Sequence, residues 1–255
     1  MITDTEGIIL RQVKTAYGRR MVLLFSKKYG KISAGTSISE RGKNKSALAM
    51  RPFTYGRYEL FKNRESYNIN GAQVLKSYYR LGEDVDKYMY SAYILEFTEK
   101  ILPEEQPAQA MFNLILDFLQ MMEKRQKGHG TLVLAYEVKT LKIMGIMPQL
   151  DECVLCGSPC TKENPSVRFS IKDGGIVCQN CGHNLEISAN DTLIYPVNFG
   201  IVDILKYFAG HSLKKFENLA LDEGVCKRLQ RLIKHYAAYY LDIGELKSES
   251  FLTEY

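Results

Sequence analysis

Two Cys-x-x-Cys pairs, "CVLC" at Cys153 and Cys156 and "CQNC" at Cys178 and Cys181, carry the spacing in this chain best suited to chemistry. Thiolates are soft donors, and two such knuckles set four of them at tetrahedral corners around a single zinc ion. Between Cys156 and Cys178 lie 21 residues, just past the roughly 15–20 usual for such modules. Gly157 and Gly182 directly follow the second cysteine of each pair, where the knuckle turn is expected to need positive φ. The intervening "VRFSIKDGGIVC" reads as a hairpin turned at Asp173-Gly174-Gly175. Cys160 and His183 lie close enough in sequence to be alternative ligands, and Cys226 reads as a small buried apolar residue.

A catalytic zinc keeps one coordination position open and a general base beside it. Four thiolates close the shell, and neither His-x-Glu nor His-Glu-x-x-His occurs in the sequence. The expected metal is therefore structural Zn2+. A Gly-x-x-x-x-Gly-Lys-Ser/Thr phosphate loop and a Gly-x-Gly-x-x-Gly fingerprint are both missing from the sequence, and His129, His183, His211 and His235 are scattered. Nothing here points to an enzyme.

The elements around the cysteines fall into three kinds. Residues 1–80 hold five short runs rich in Ile, Val, Leu, Phe and Tyr, punctuated by Gly18, Gly30, Gly42, Gly56 and Gly71. Five such strands fit a small barrel of the OB-fold type. From residue 83 the period changes to helical. "EDVDKYMYSAYILEFTEKIL" sets Val85, Tyr88, Met89, Ala92, Tyr93 and Leu95 on one face, with Pro103 closing the helix. "PAQAMFNLILDFLQMMEK" starts at Pro107, suited to a first helical turn, and carries Met111, Phe112, Ile115, Leu119 and Met122. "TLVLAYEVKTLKIMG" ends at Gly145. After the cysteines, "NFGIVDILKYFAG" and "DEGVCKRLQRLIKHYAAYYLDI" are again amphipathic; the latter has an apolar stripe of Val225, Leu229, Leu232, Ile233, Tyr236 and Tyr240. The expected fold class is α+β multidomain: an N-terminal OB-fold β-barrel over 1–80, an α-helical domain in two parts (81–150 and 191–255), and a four-cysteine zinc ribbon-like module inserted at 151–190.

Charge separates these parts. Residues 1–80 hold 16 Lys and Arg against 5 Asp and Glu, a net +11, and residues 81–255 hold 18 against 24, a net −6. A basic barrel on an acidic remainder is suited to a polyanion. The cations expected to follow phosphates are Arg19, Arg20, Lys27, Lys28, Lys31, Arg41, Lys43, Lys45 and Arg51, with Tyr29 and Phe53 between them as stacking surfaces. No run approaches 18 apolar residues, and Asp4 and Glu6 stand where a secretory signal carries cations, so a cytoplasmic protein without a membrane span is expected.

The order of parts, with "DTEGIILR", "VLLFSKKYGKISAGTSISERGKNKS", "MRPFTYGRYELF" and "LKIMGIMPQLDECVLCG", resembles the RecO family of bacterial recombination mediators over nearly the whole chain. "LKSESFL" is similar to that family's Ser-Arg-x-Phe-Leu-like ending, with Glu249 where arginine is usual. The resemblance implies binding of single- and double-stranded DNA, annealing of complementary strands without ATP, and help in loading RecA onto strands covered by single-strand-binding protein (SSB), within the RecFOR pathway and associated with the nucleoid. It also implies RecR and the C-terminal tail of SSB as partners. That acidic tail would need an apolar pocket rimmed by cations, which Lys227, Arg228, Arg231 and Lys234 could supply. The other reading of the same residues is a zinc-stapled scaffold that binds only proteins.

Overall fold

The computed structural model describes residues 2–14, 20–38, 45–63, 66–161, 163–184 and 193–250. They form two compact units, one containing the described residues up to His129 together with those from Glu245 onward, the other Gly130–Gly244.

The first unit begins with the expected strands: β1 (Ile2–Lys14), β2 (Arg20–Ser26), β3 (Gly30–Thr36), β4 (Thr54–Lys62) and β5 (Tyr67–Ser77), with a short helix α1 (Lys45–Ala49) between β3 and β4. They close into a barrel of order β1-β2-β3-β5-β4. β1 is long enough to serve two neighbours, pairing Ile2–Ile8 with β4 and Gly7–Lys14 with β2, and a register shift between Ile9 and Arg11 turns it from one to the other. β3 and β5 run parallel, Ala34 opposite Tyr67, which closes an otherwise antiparallel sheet in the OB manner. Alternation fills the interior: on β4, Thr54, Gly56, Tyr58 and Leu60 are buried while Arg57 and Glu59 are exposed. Ile9, Val22, Leu24, Ile32 and Ile69 complete the core, and the buried Tyr58 hydroxyl donates to Ala49 O at 2.8 Å.

Two long helices follow, α2 (Val85–Ile101) and α3 (Gln109–Lys124). On α3 the five expected apolar residues are all buried, and Phe112 meets the Phe25 ring edge-on at 5.3 Å, docking the helix on the barrel. Pro107 lies ahead of its first turn, because Ala108 takes the N-cap position. The face expected on α2 is corrected more strongly. Val85 and Tyr88 are exposed, and the buried face instead includes Lys87, Ser91 and Thr98 among Tyr93, Ile94, Leu95 and Phe97. Lys87 tolerates burial because its Nζ donates to Glu123 O at 3.1 Å.

The C-terminal turn of 3-10 helix, Lys247–Glu249, packs on α2 through one carboxylate. Glu96 accepts from Lys247 N at 3.0 Å, Ser248 N at 2.8 Å and Ser248 Oγ at 2.5 Å. Burial alone would raise the Glu96 pKa, but these donors outweigh it and hold the group below the ordinary 4.5. A depressed carboxylate contributes stability above its unfolded pKa and loses it as pH falls through the folded value. Protection of the Lys247 and Ser248 amides, relative to their intrinsic exchange rates at each pH, should therefore hold at pH 7 and be lost, ahead of that of the barrel amides, as pH falls below about 4.5; Glu96→Gln should remove that pH dependence.

The second unit contains α4 (His129–Ile143), β6 (Ser166–Ser170), β7 (Gly175–Cys178), α5 (Gln179–Asn184), β8 (Ile194–Pro196), α6 (Phe199–Gly210) and α7 (Glu223–Leu241). The strands form a sheet of order β7-β6-β8. From Thr131 to Val138 every residue of α4 is buried, which makes it the axis of the unit, and Gly145 (φ +75°) follows its end as expected. On α7, Leu229, Leu232, Ile233 and Tyr236 are buried as expected, joined by Cys226 and Ala237. Val225 and Tyr240 lie at the edge of that stripe; the Tyr240 hydroxyl reaches out to donate to Ile171 O at 3.0 Å. Among the described residues no helix is long and apolar enough to cross a membrane.

Candidate metal centre and nucleic-acid face

The four cysteines converge. Their sulfurs lie within 4.8 Å of one another, Cys153 and Cys178 buried, Cys181 half-buried and Cys156 exposed. A tetrahedral thiolate site with metal–sulfur bonds of about 2.3 Å has sulfur–sulfur edges of about 3.8 Å, and Cys156 Sγ lies 3.8 Å from Cys178 Sγ. The donor set thus fits one tetrahedral ion.

Each pair is held differently. In the first, Gly157 N donates to Cys153 O at 2.8 Å and Cys153 N to Ser158 O at 2.9 Å, closing a tight knuckle with Gly157 at φ +71°. The segment leading into it lies along β7, with Gln149 N on Gly174 O, Ile176 N on Gln149 O and Val154 N on Ile176 O. The second pair is not a matching turn. Cys178 ends β7 and Cys181 sits in α5, so Gly182 is helical and positive φ is not its role. A Cβ there would come within 2.6 Å of Val167 Cγ2, so glycine is needed for space. The hairpin turns before Gly175 as expected, with Gly174 at φ +82°.

Electrostatics inside the cluster ask for a cation. Hydrogen bonds from the Ser158 hydroxyl and N–H pull the Cys156 thiol down, while hydrogen bonding with Cys156 and Cys178 pushes Cys181 up. Cys160 packs against Cys153 and Cys178 from the side without belonging to the four, and His183 is exposed outside them. Cys226 is buried on α7, its thiol pushed up by burial to about 11.

On the barrel, the structure distributes the nine cations expected to meet phosphate. Lys27 and Lys28 lie exposed on the β2–β3 turn; Lys27 Nζ pairs with Glu6 at 2.9 Å, and Lys28 Nζ donates to Thr3 Oγ1 at 3.0 Å. Lys31 is half-buried, its Nζ donating to Glu99 O at 2.9 Å. Arg20 starts β2 at the opposite end from that turn, and Arg51 is exposed just before β4. Lys45 begins α1. Arg19, Arg41 and Lys43, and the side chain of Lys45, lie outside the described residues.

The aromatic surfaces are less free than expected. Tyr29 packs on Tyr67 at 5.8 Å and Phe53 on Tyr88 at 5.7 Å. Sequence reading missed two Lys–Tyr pairs: Lys62 sits 4.7 Å from the Tyr67 ring and Lys76 4.5 Å from that of Tyr78, each lysine also ion-paired, with Glu105 at 3.4 Å and Glu123 at 3.7 Å. The one available signal was a lysine two to five residues before a tyrosine, too common to single out. Of the cations on the last helix, Lys227, Arg228, Arg231 and Lys234 are all exposed, with Lys227 paired to Glu223 at 2.6 Å.

Comparison with known proteins agrees with this architecture. A family model described as the recombination protein O N terminal matches residues 1–78, and one described as the recombination protein O C terminal matches residues 82–250. The chain is 32% identical to the DNA repair protein RecO of Alkaliphilus metalliredigens, over 95% of each chain. It is 29% identical to that of a Thermoanaerobacter species over 98% of this chain and 97% of the other, and 28% identical to that of Acetivibrio thermocellus over 98% and 96%. With both family models matching across residues 1–78 and 82–250, and a relative 32% identical over 95% of each chain, this chain belongs to the recombination protein O family.

Proposed function

We propose that this chain acts in DNA repair and recombination as a mediator without catalysis of its own, binding single- and double-stranded DNA and annealing complementary strands without ATP. The observation that carries this reading is the match to RecO proteins along nearly the full chain. The net charge of +11 on residues 1–80 supports the barrel as the DNA-binding part. Complementary strands repel through their phosphates, so a cationic surface lowers the cost of bringing them together. Exposed lysines such as Lys28 grip no particular base and leave the strands free to slide into register. In the same reading the protein helps load RecA onto SSB-covered strands, with RecR and the SSB tail as partners. The test is annealing of two dye-labelled complementary oligonucleotides, bare and SSB-coated, without ATP. Acceleration on both supports the reading, and no acceleration by folded, metal-loaded protein would favour the protein-binding scaffold instead.

Zinc is the metal proposed for Cys153, Cys156, Cys178 and Cys181, where it would supply a crosslink between the knuckle and α5. Ser166 supports a metal-bound thiolate at Cys178. The two residues are opposite each other on β6 and β7, so their side chains share a face. Ser166 is 1% exposed, and its Oγ has no hydrogen-bond partner among the described residues. A buried hydroxyl without a partner is costly; its Oγ makes no hydrogen bond to Cys178 Sγ here, and a metal-bound thiolate across the hairpin would be a stronger acceptor than a neutral thiol for it to turn toward. Ser166→Ala should weaken metal retention about tenfold or more in competition with a chelator, with the hairpin still folded.

A further inference from the structure

The barrel wall is closed, but among the described residues one mouth is open. Where β1, β2 and β3 end together, a cavity of about 350 Å3 descends into the interior. Its position follows from register. Gln12 is paired with Val22, and Arg20 with Thr36. Val22 faces inward at 2% exposure, and Arg20 is two residues before it on the same face. Val22 and Met50, both almost fully buried, form the floor of the cavity with Ile38, and the outward-facing Val13 and Met21 complete its rim at the strand ends.

The polar groups in this apolar mouth are of three kinds. The Gln12 amide donates through Nε2 to Met50 O, which leaves its carbonyl oxygen as an acceptor. The Thr36 hydroxyl accepts from Ile38 N at 3.1 Å and so keeps its own proton to give. Arg20 spends one Nη1–H on Ile38 O at 3.4 Å, and among the described residues the rest of its planar donor set has no hydrogen-bond acceptor. An acceptor, a hydroxyl donor and a flat cation around an apolar floor match a planar ring whose edge carries both donors and acceptors. The volume is at the small end of the roughly 300–1,000 Å3 of small-molecule pockets, enough for one such ring.

We propose that the barrel mouth receives one unstacked nucleobase from a single DNA strand. This inference rests on the DNA-binding reading above and adds a site to it. An aliphatic or phenyl side chain from a protein partner would satisfy the floor but strand the three polar groups away from water. A base in a duplex is excluded, because its pairing edge and both faces are already engaged. Arg20 at the mouth and the exposed Arg51, next to the lining residue Met50, are the described cations placed to meet the flanking phosphates, and holding one base out leaves its neighbours free to pair.

The experiment uses the full chain and three fluorescent probes of equal length: a thymine oligonucleotide, the same strand with its central residues abasic, and a duplex. Wild type should bind the thymine strand about tenfold more tightly than the abasic one, the scale of one or two net hydrogen bonds to the base edge. Thr36→Phe fills the mouth and should abolish that preference while leaving abasic-strand affinity and its salt dependence unchanged. Thr36→Val keeps the shape, removes only the hydroxyl and should reduce the preference a few-fold, which guards against misfolding of the larger variant. A 2-aminopurine placed in the strand should change fluorescence on binding wild type but not Thr36→Phe. Equal binding of thymine and abasic strands by wild type overturns the proposal, as does full preference in folded Thr36→Phe. Binding of none of the probes would overturn the DNA reading itself, and this site with it.

Discussion

Cys178→Ser is expected to strip the metal from this chain and to collapse the module built around it. Metal content should fall from about one ion per chain to near zero, because a hydroxyl does not replace a thiolate in a tetrahedral sulfur site. Binding of a structural ion is itself folding free energy, of order 10 kcal/mol in small zinc domains. Even if the surrounding unit retains more than half of its structure, a loss of about 4 kcal/mol remains, which at roughly 2–4 °C per kcal/mol lowers the melting temperature by about 10 °C. Cys178 is the informative choice because it is 1% exposed and ends β7, so its loss frees both the hairpin and the start of α5. Cys160→Ser is the matched control: it touches the cluster without belonging to it and should keep the metal. Metal retained in Cys178→Ser, or lost in Cys160→Ser, would assign the ligands differently.

Neutralising Lys27, Lys28 and Arg51 to glutamine should weaken single-strand binding by about a hundredfold at 0.1 M salt and leave little difference near 1 M. Each phosphate contact contributes a slope of roughly 0.7–0.9 in log K against log salt. Three lost contacts therefore flatten the slope by about 2–3, and the affinity gap closes as salt rises. Glutamine is preferred to glutamate because Lys27 faces Glu6, whose pKa is lowered chiefly by that lysine; a carboxylate there would repel it. The Lys27–Glu6 pair is exposed and contributes at most about 1 kcal/mol, so the barrel should survive its loss. Binding with an unchanged slope would mean that phosphates follow another path on the protein.

The barrel and the cysteine site were legible because their signals are local. Alternation in "TYGRYELFK" and glycines at the turns mark strands without any knowledge of their partners, and Cys-x-x-Cys spacing reports ligand geometry within four residues. What escaped is what depends on partners far along the chain. Lys87, Ser91 and Thr98 were passed over as core residues because polarity hides a buried face, and Lys87 is inside only by virtue of Glu123 O, 36 residues away. Val85 and Tyr88, apolar and in phase, were assigned to a core that they do not enter. Ser166 has no sequence signal at all, since its meaning comes from lying opposite Cys178 across a hairpin. Gly182 carried the right residue for a different reason, space instead of φ. The mouth of the barrel could not be anticipated, because a cavity is a property of how strands end together and not of any one of them.

The parallel pairing of β3 with β5 also sets an order of events during synthesis. β1, β2 and β3 can zip as neighbours as soon as they leave the ribosome, and β4 can then add to the free side of β1. Until β5 emerges, β3 and β4 each present a bare edge, the kind of surface that recruits strands from other chains. β5 covers both at once, pairing with β4 along most of its length and with β3 at Tyr67, Asn68 and Ile69. The hazard of misassembly is therefore confined to the interval before residues 67–77 are made, and a chain cut short within β5 is left with the stickiest version of this barrel.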